Sequence, residues 1–216
     1  MKHITFYLDF ISPYAYLAFE HLPEALKGIS HSVTYRPVLF AAMLKHHGQL
    51  GPAEIAPKRD WTYRQVMWLA QSLNILTDMP AGHPFNSLPL LRLAVACNAE
   101  VTGAANRHVC ETIFRHVWRG GQDAGSVQRM DALAAQLSPE CDLQGDDVKN
   151  RLKKNTEEAI ALGVFGVPSL VVDDKVFWGL DALPMLRDFL INAPWFQGEG
   201  WQRAGQVGSG VSRFKS

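Results

Sequence analysis

The strongest constraint on the fold of this chain is the stretch 6–16, Phe-Tyr-Leu-Asp-Phe-Ile-Ser-Pro-Tyr-Ala-Tyr, in which an apolar strand runs directly into the start of a helix. The run 4–10 is rich in β-branched and aromatic residues, which favours a strand. Ser12 then stands at the N-cap position and Pro13 at the first helical position. Because a helix N-terminus presents unpaired backbone N–H groups and a partial positive charge, a polar atom at position 12 can stabilise an anion.

The charge balance narrows the partners that such a site can have. The chain carries 21 Lys and Arg residues and 21 Asp and Glu residues, so its formal net charge is zero and no net field favours nucleic acid or an anionic membrane. No apolar run reaches the length of a transmembrane helix, and residues 1–3 lead into the first strand without a signal-peptide core. We therefore expect a cytoplasmic protein that binds small molecules.

The cysteines predict neither a metal site nor a disulfide framework. Cys97, Cys110 and Cys141 lie far apart and form no Cys-x-x-Cys motif and no Cys/His ligand spacing. Cys110 falls on the apolar face of a predicted helix, where a small buried hydrophobe is its expected role.

Hydrophobic periodicity predicts strands at both ends of the chain and helices between them. Alternation at 32–39 predicts a second strand, in which Pro37 indicates an edge or the strand's end. Residues 169–172 and 176–178 predict a β-hairpin around a tight turn, followed by a helix over 181–192. Between them the pattern predicts loops at 48–60 and 78–89, and helices around 63–73 and over 90–101, 104–119, 126–137 and 146–162.

The element order β-α-β, helical block, β-β-α predicts an α/β protein with a thioredoxin-like mixed sheet and an all-helical insertion. The parallel first pair of strands needs a crossover helix, which residues 13–27 supply. We assign residues 1–40 and 163–193 to the thioredoxin-like domain and 41–162 to the insertion. Residues 194–216, rich in Gly, Gln and Ser, form an extension that we expect to be partly disordered unless a partner covers it.

Five segments together carry a resemblance to a known family. They are Ser12-Pro13-Tyr14 after the first strand, the segment around Lys58, His-Pro-Phe-Asn-Ser-Leu-Pro at 83–89, Gly-Val-Phe-Gly-Val-Pro-Ser at 163–169 and Phe-Trp-Gly-Leu-Asp at 177–181. In this order and spacing they resemble the 2-hydroxychromene-2-carboxylate isomerase family, which is related to kappa-class glutathione transferases and DsbA-type oxidoreductases. The resemblance extends to about Asn192. It implies a DsbA-like fold, glutathione as cofactor, an aromatic carboxylate as substrate and a homodimer.

A serine at position 12 excludes the redox chemistry of the cysteine-bearing relatives. A hydroxyl ionises far too weakly to act as a thiolate and cannot form a disulfide. Ser12 can instead donate a hydrogen bond to the thiolate of a bound glutathione, which is then a good nucleophile near neutral pH. Ser12 is thus the predicted catalytic and cofactor-binding residue, and a plain helix N-cap is its alternative role.

The resemblance also implies further glutathione contacts. Val167 and Pro168 resemble the cis-proline loop of thioredoxin-like folds, in which the residue before proline presents its backbone to an extended peptide such as glutathione. The alternative is a proline that merely opens the hairpin. Lys58 is expected to meet a glutathione carboxylate, and a polar contact to the substrate is its alternative role.

A second group of glutathione contacts is implied by the segment after the hairpin. Trp178, Gly179, Leu180 and Asp181 resemble the segment that receives the glutamyl end. Members of the family often carry glutamine where Leu180 stands, so only a backbone contact is expected from that position. Helix capping is the alternative role of Asp181.

The aromatic carboxylate substrate requires apolar walls and a cation. The candidates are Trp61 and Phe85 for the walls and Lys45 and Asn86 for the polar contacts, with Phe40, Met43 and Phe165 as further wall residues. The alternative roles are ordinary ones, since lysines are mostly solvated and aromatic residues at helical spacing mostly belong to the core.

The function implied by the resemblance is a glutathione-dependent cis–trans isomerisation of 2-hydroxychromene-2-carboxylate-type compounds. The thiolate would add to a conjugated carbon, the resulting single bond would rotate, and elimination would restore the double bond and return glutathione unchanged. One alternative is a kappa-like glutathione transferase, which consumes glutathione. The other is a non-catalytic thioredoxin-fold module that binds glutathione without turnover.

Overall fold

A four-stranded mixed sheet forms the framework of the computed structural model, which describes residues 1–98, 102–208 and 210. The strands are β1 (Lys2–Leu8), β2 (His31–Pro37), β3 (Ser169–Val172) and β4 (Lys175–Trp178), in the spatial order β2-β1-β3-β4. β1 pairs parallel with β2 and antiparallel with β3, and β3 pairs antiparallel with β4. β2 is an edge strand, as the proline at its end predicted.

The register of the sheet aligns apolar side chains into one continuous row. Tyr35 of β2, Phe6 of β1, Leu170 of β3 and Phe177 of β4 are cross-strand partners in turn, and each is buried. On the opposite face Tyr7 and its neighbours belong to a second, smaller hydrophobic cluster. Because side chains alternate between the faces of a strand, the sheet is covered on both sides.

Helix α1 (Pro13–Ala25) is the crossover between β1 and β2. Pro23 lies inside its last turn, where the sequence predicted a kink or a restart, but the helix continues to Ala25. The predicted restart is therefore not observed, because the helix runs through the proline without interruption. Gly28 then takes a positive φ of 82° in the turn that leads to β2.

The middle of the chain is helical, as predicted. It contains α2 (Phe40–His47), a 3₁₀ turn (Pro52–Glu54), α3 (Ala56–Ser72), α4 (Leu88–Ala96), α5 (Arg107–Trp118), α6 (Val127–Leu137) and α7 (Asp146–Ala161). Two helices begin earlier than expected: α3 starts inside the predicted 48–60 loop, and α4 at the end of the predicted 78–89 loop. Pro57 and Pro89 lie in the first turns of these helices, where a proline sacrifices no intrahelical hydrogen bond. The predicted helix over 90–101 ends at Ala96, and residues 99–101 lie outside the described residues.

The larger core cluster joins α1, α5 and the sheet through aromatic side chains. The Phe114 ring lies 4.9 Å from the Phe10 ring, 5.9 Å from Tyr16 and 5.2 Å from Phe19, centroid to centroid. Cys110 is fully buried beside them, which confirms its predicted role as a small hydrophobe, and burial raises the pKa of its thiol.

After the hairpin the chain forms a 3₁₀ turn (Leu180–Ala182), α8 (Leu183–Leu190), α9 (Pro194–Gln197) and α10 (Glu199–Gly205). The sequence predicted one helix over 181–192 and a partly disordered extension from 194. Residues 194–197 and 199–205 of that extension form the two short helices α9 and α10, and Phe196 and Trp201 pack on Phe177 of β4 at 6.4 and 6.5 Å between ring centroids. Residues 209 and 211–216 of the predicted extension lie outside the described residues. None of the helices in the described residues is long and apolar enough to span a bilayer.

Candidate active site

Ser12 connects the start of α1 to the loop that precedes β3. Its Oγ accepts a hydrogen bond from the Ala15 amide at 3.2 Å, which is the N-cap interaction, and its hydroxyl donates to the Val167 carbonyl at 3.3 Å. The side chain is largely buried, at 7% exposure. Ser12 therefore caps the helix and also points its proton away from α1, toward a segment 155 residues further along the chain.

The predicted cis-proline loop lies directly against this serine. The Val167–Pro168 peptide bond is cis, and the Pro168 carbonyl accepts a hydrogen bond from the Gly179 amide at 2.9 Å. The Val167 carbonyl already accepts from Ser12. These two hydrogen bonds bring the 163–169 and 177–181 motifs together at the N-terminus of α1.

Two glycines allow the chain to pack closely around this loop. A Cβ atom at Gly166 would lie 2.7 Å from Trp178 Nε1, so the indole ring covers the glycine directly. Gly179 has a φ of 99°, and a Cβ atom there would collide with the Asp181 carboxylate. Trp178 is 53% exposed and its ring packs at 4.9 Å against Phe165. An exposed aromatic surface therefore flanks the loop.

Asp181 lies close to the first turn of α1. The 3₁₀ turn that contains it contacts α1, and the negative charge of Asp181 contributes to raising the pKa of Tyr14, although burial is the larger cause. Leu180 is half-buried and packs on the larger core cluster. Of the predicted glutathione contacts, Ser12 and the 167–168 and 178–181 segments are thus gathered around one helix N-terminus.

Helix α3 is held over the same turn by tyrosine hydroxyls. Tyr14 donates to Gln65 Oε1 at 2.6 Å and is also hydrogen-bonded to Thr62. Lys58 is exposed and precedes Thr62 by four residues, which places both on one face of α3. The described residues provide no ion pair for Lys58, so its ammonium group is available to a ligand.

A histidine ties the 83–89 loop to the β1–α1 turn. His83 Nε2 lies 2.8 Å from the Ile11 carbonyl, and because a carbonyl can only accept, Nε2 carries the proton. The Tyr63 hydroxyl lies 2.8 Å from Nδ1 and 2.9 Å from the His83 carbonyl oxygen, and its single proton is shared between these two acceptors. Burial lowers the pKa of His83, so the ring is neutral at pH 7.

Asp9 lies beneath the turn and is completely buried. Its Oδ1 accepts from the Ile11 amide at 3.1 Å, its Oδ2 accepts from the Phe40 amide at 3.0 Å, and the Ser87 hydroxyl is a further partner. Burial raises the pKa of this carboxyl to about 6, against the opposing effect of these hydrogen bonds.

The predicted substrate residues are more scattered than the glutathione contacts. Lys45, Trp61 and Asn86 are exposed, Trp61 at 65%, and Asn86 Oδ1 accepts from the Leu88 amide at the start of α4. Phe85 is half-buried, packs against the larger core cluster and lies 6.1 Å from the His83 ring. Only Phe85 therefore contacts a residue that is itself bonded to the Ser12 turn.

Sequence reasoning assigned no role to Asp9, Tyr14, Tyr63, Gln65 or His83. Asp9 had a detectable signal, since it is the single charged residue in the apolar run 4–11. Tyr14 and His83 lie in segments that carry the family resemblance, but the partners of all four lie on separate segments that only the tertiary structure brings together.

The titratable groups of the described residues offer no preformed metal site. No group of three or more His, Cys, Asp or Glu side chains in the described ranges is arranged to hold a metal ion. Cys97, Cys110 and Cys141 are free thiols, and burial raises the pKa of Cys97 to about 11. The cysteines that the structure describes therefore supply neither a thiolate nor a disulfide next to Ser12.

A family comparison agrees with this architecture. The family model described as "DSBA-like thioredoxin domain" matches residues 3–191. The chain belongs to this family. The match confirms the predicted DsbA-like thioredoxin fold and covers both the sheet and the helical block.

Two relatives show which kinds of DSBA-like protein this chain is similar to. It is 27% identical over 202 residues to the 2-hydroxychromene-2-carboxylate isomerase of Sphingobium xenophagum, covering 88% of this chain and 99% of the relative. It is 24% identical over 206 residues to glutathione S-transferase kappa 2 of Caenorhabditis elegans, covering 88% and 92%. The predicted family resemblance is confirmed.

A solved structure shows that the fold extends over the whole relative. The structure of a 2-hydroxychromene-2-carboxylate isomerase superposes on this DSBA-like protein with a TM-score of 0.75 at 23% sequence identity, covering 95% of this chain and 100% of the other. At this level of identity the superposition establishes the common fold.

Proposed function

We propose that this protein is a glutathione-dependent cis–trans isomerase of 2-hydroxychromene-2-carboxylate-type aromatic compounds. The observation that carries the proposal is the Ser12 hydroxyl, at the N-terminus of α1 and against the backbone of the Val167–Pro168 loop. This arrangement offers one hydrogen-bond donor and a partial positive charge at the place where a peptide thiol would lie. The names of the relatives, isomerases and kappa-class transferases, support the same chemistry.

Ser12 would act by stabilising the thiolate of bound glutathione. The Ser12 Oγ donates to the Val167 carbonyl oxygen at a distance of 3.3 Å. Rotation of the hydroxyl can exchange this long hydrogen bond for one to sulfur. A hydrogen bond to a charged group is worth about 1.5–3 kcal/mol, which lowers a thiol pKa by about one to two units. The thiolate population at neutral pH rises accordingly.

The rest of glutathione would be held by groups on either side of Ser12. The backbone of Val167 and Pro168 would pair with the cysteinyl residue, as an extended peptide pairs with a strand. Asp181 would receive the glutamyl ammonium group, with Trp178, Gly179 and Leu180 forming the floor of that end. The Lys58 ammonium group, on the α3 face that also carries Thr62, would pair with a glutathione carboxylate.

The aromatic substrate would bind between the glutathione sulfur and the helical block. Phe85 and Trp61 would form apolar walls, and Asn86 and Lys45 would bind the carboxylate and the carbonyl oxygen. Under this proposal residues 1–40 and 163–193, together with Lys58 of the insertion, hold glutathione, and the rest of residues 41–162 select the substrate. A cytoplasmic homodimer is part of the same proposal.

The reaction then needs no net consumption of the thiol. The thiolate forms a C–S bond to a conjugated carbon, and the displaced π electrons move to the carbonyl oxygen. The former double bond is now a single bond and rotates. The electrons return, the C–S bond breaks, and the thiolate is released with the new double bond in the trans geometry.

Ser12→Ala tests this proposal. We expect turnover to fall about ten- to a hundredfold, the loss of one charge-assisted hydrogen bond, and stability to fall by about 1 kcal/mol, the loss of one N-cap. The matched control is Ser126→Ala, since Ser126 is an N-cap residue whose side chain makes no capping hydrogen bond. Full turnover in the strict absence of any thiol would contradict the mechanism.

A kappa-like glutathione transferase is the second candidate, and the similarity to glutathione S-transferase kappa 2 favours it. It would use the same thiolate but form a stable conjugate. Measuring free glutathione during the reaction separates the two, because a transferase consumes one glutathione per product and an isomerase none. Glutathione binding without turnover would identify the third possibility, a binding module.

A further inference from the structure

Within the described residues, Asp9 is a buried carboxyl group without a charged partner. It is fully buried, and no charged side chain is among the groups that determine its ionisation. Its partners are all hydrogen-bond donors: the amides of Phe10, Ile11 and Phe40 and the hydroxyl of Ser87. A buried carboxyl is more easily accommodated as the neutral acid, but this ring of donors is complementary to the carboxylate.

The hydrogen bonds of Asp9 join three segments around the proposed glutathione site. The Ile11 amide belongs to the turn that ends at Ser12, and the Ser12 amide itself donates to the Asp9 carbonyl at 3.1 Å. The Phe40 amide is the first of α2, a helix whose N-cap residue, Leu39, provides no side-chain acceptor. Ser87 is buried at the start of α4.

Protonation of Asp9 would disturb this arrangement. A neutral carboxyl has one O–H donor, and the backbone amides of Ile11 and Phe40 cannot reverse to accept from it. Only the Ser87 hydroxyl can both donate and accept. Adding a proton therefore reverses the Ser87 hydrogen bond and removes the negative charge that strengthens the hydrogen bonds from the Ile11 and Phe40 amides, which loosens those segments.

We propose that Asp9 is a positioning residue, whose ionised carboxylate holds the Ser12 turn against α2 and the 83–89 loop, so that glutathione binds tightly only when Asp9 is deprotonated. The proposal rests on the proposed glutathione-binding function. Asp9 does not touch glutathione and acts through the backbone that presents Ser12. The raised pKa of Asp9, about 6, places the change just below neutral pH.

Other titratable groups on the packed elements must be separated from Asp9. The 83–89 loop contributes His83, whose pKa is lowered by burial and which donates to Ile11 of the same turn. Helix α2 contributes three exposed side chains, Lys45, His46 and His47, and α1 contributes Tyr14. The Arg36–Glu158 ion pair links β2 to α7. Of these, His83 is the group that could imitate the effect of Asp9.

Ser87→Ala is the variant that distinguishes a positioning carboxylate from a structural one. Ser87 lowers the pKa of Asp9, because its hydrogen bond to the charged carboxylate is stronger than the reversed bond that it accepts from the neutral acid, so removing Ser87 favours the protonated acid. We expect the midpoint of the loss of glutathione affinity to move upward by about one pH unit. Glutathione dissociation constants from calorimetry between pH 5 and 8 measure this, and the titration of glutathione itself is common to all variants.

Tyr63→Phe is the matched control for His83. It removes the hydroxyl bonded to His83 Nδ1 and leaves Asp9 untouched, so the midpoint should stay within about 0.3 pH units of the wild type. Asp9→Asn, if it folds, should bind glutathione about tenfold more weakly than the wild type. Its glutathione affinity should not show the wild type's loss at low pH. If the pH midpoint of the loss of glutathione affinity moves in Tyr63→Phe but not in Ser87→Ala, the titrating group is His83. That result overturns the proposal.

A readout without glutathione keeps this inference separate from the proposed function. The backbone amide shifts of Ile11, Ser12 and Phe40 in NMR spectra should titrate together with the Asp9 midpoint, and that common midpoint should rise in Ser87→Ala. Failure of the wild type to bind glutathione at any pH refutes the proposed function alone. An Ser12 amide shift that does not follow the Asp9 titration refutes the positioning role, whether or not glutathione binds.

Discussion

Ionising Asp9 is expected to cost the folded protein about 3 kcal/mol of stability. The carboxyl is completely buried, and its pKa rises from 3.8 to about 6 on folding, a difference of about 2.2 units. At 1.36 kcal/mol per unit, this corresponds to about 3 kcal/mol of free energy of unfolding. Because the folded-state pKa is the higher one, this stability is fully present below pH 3.8 and is lost as the pH rises through about 6.

The measurement compares wild type with Asp9→Asn by urea unfolding between pH 3.5 and 7.5. All other titrating groups are shared, so the difference in unfolding free energy between the two proteins isolates Asp9. Relative to Asp9→Asn, the wild type should lose about 3 kcal/mol between the two ends of this range. Asp131→Asn is the matched control, because Asp131 is an exposed carboxylate on α6.

Two outcomes would contradict the claim that burial raises the pKa of Asp9 in the folded protein. A difference that stays constant across the range would mean that Asp9 ionises equally easily in the folded and unfolded chains. A wild type that gains stability relative to Asp9→Asn as the pH rises would mean that the surrounding donors outweigh burial. In either case burial would not oppose the ionisation of Asp9. The inference that this carboxylate has a functional role would then fail.

Two further predictions concern a glycine that packs closely against Trp178 and a buried asparagine. Gly166→Ala should leave stability within about 1 kcal/mol of the wild type but weaken glutathione binding several-fold, because a Cβ atom 2.7 Å from Trp178 Nε1 displaces the indole ring. Calorimetry and tryptophan fluorescence measure this, with Gly82→Ala as control, since a Cβ atom there meets nothing within 4 Å. Asn155→Ala should destabilise the protein by about 2–4 kcal/mol in urea unfolding, because the buried amide of Asn155 donates to the Pro37 carbonyl at 3.0 Å and to a second carbonyl. A loss below about 0.5 kcal/mol would show that these carbonyls find other donors.

The elements that the sequence predicted correctly are those set by local pattern. The first strand, the helix that begins at Pro13 and the hairpin at 169–178 each depend on residues within a few positions of one another. The errors also had a local cause. The local composition around Pro57 and Pro89 predicts loops, although a proline is equally compatible with the first turn of a helix.

Other features depended on partners far away in the chain. The Gly-, Gln- and Ser-rich composition beyond Pro194 predicts partial disorder but does not reveal that Phe196 and Trp201 pack against β4 and α8. Local composition indicates how much conformational entropy a segment loses when it becomes ordered. It does not say whether an apolar surface elsewhere in the fold compensates for that cost.

The amino-acid sequence places a hydroxyl at position 12, at the start of a helix and with no adjacent cysteine. The surroundings of this hydroxyl, namely the Val167 carbonyl at 3.3 Å and the buried Asp9 carboxylate beneath the turn, come from the folded arrangement of distant segments. The physical reason is the range of the interactions. Capping and strand patterns act over a few residues, whereas the pairing of β1 with β3 joins segments more than 150 residues apart and only then creates the site.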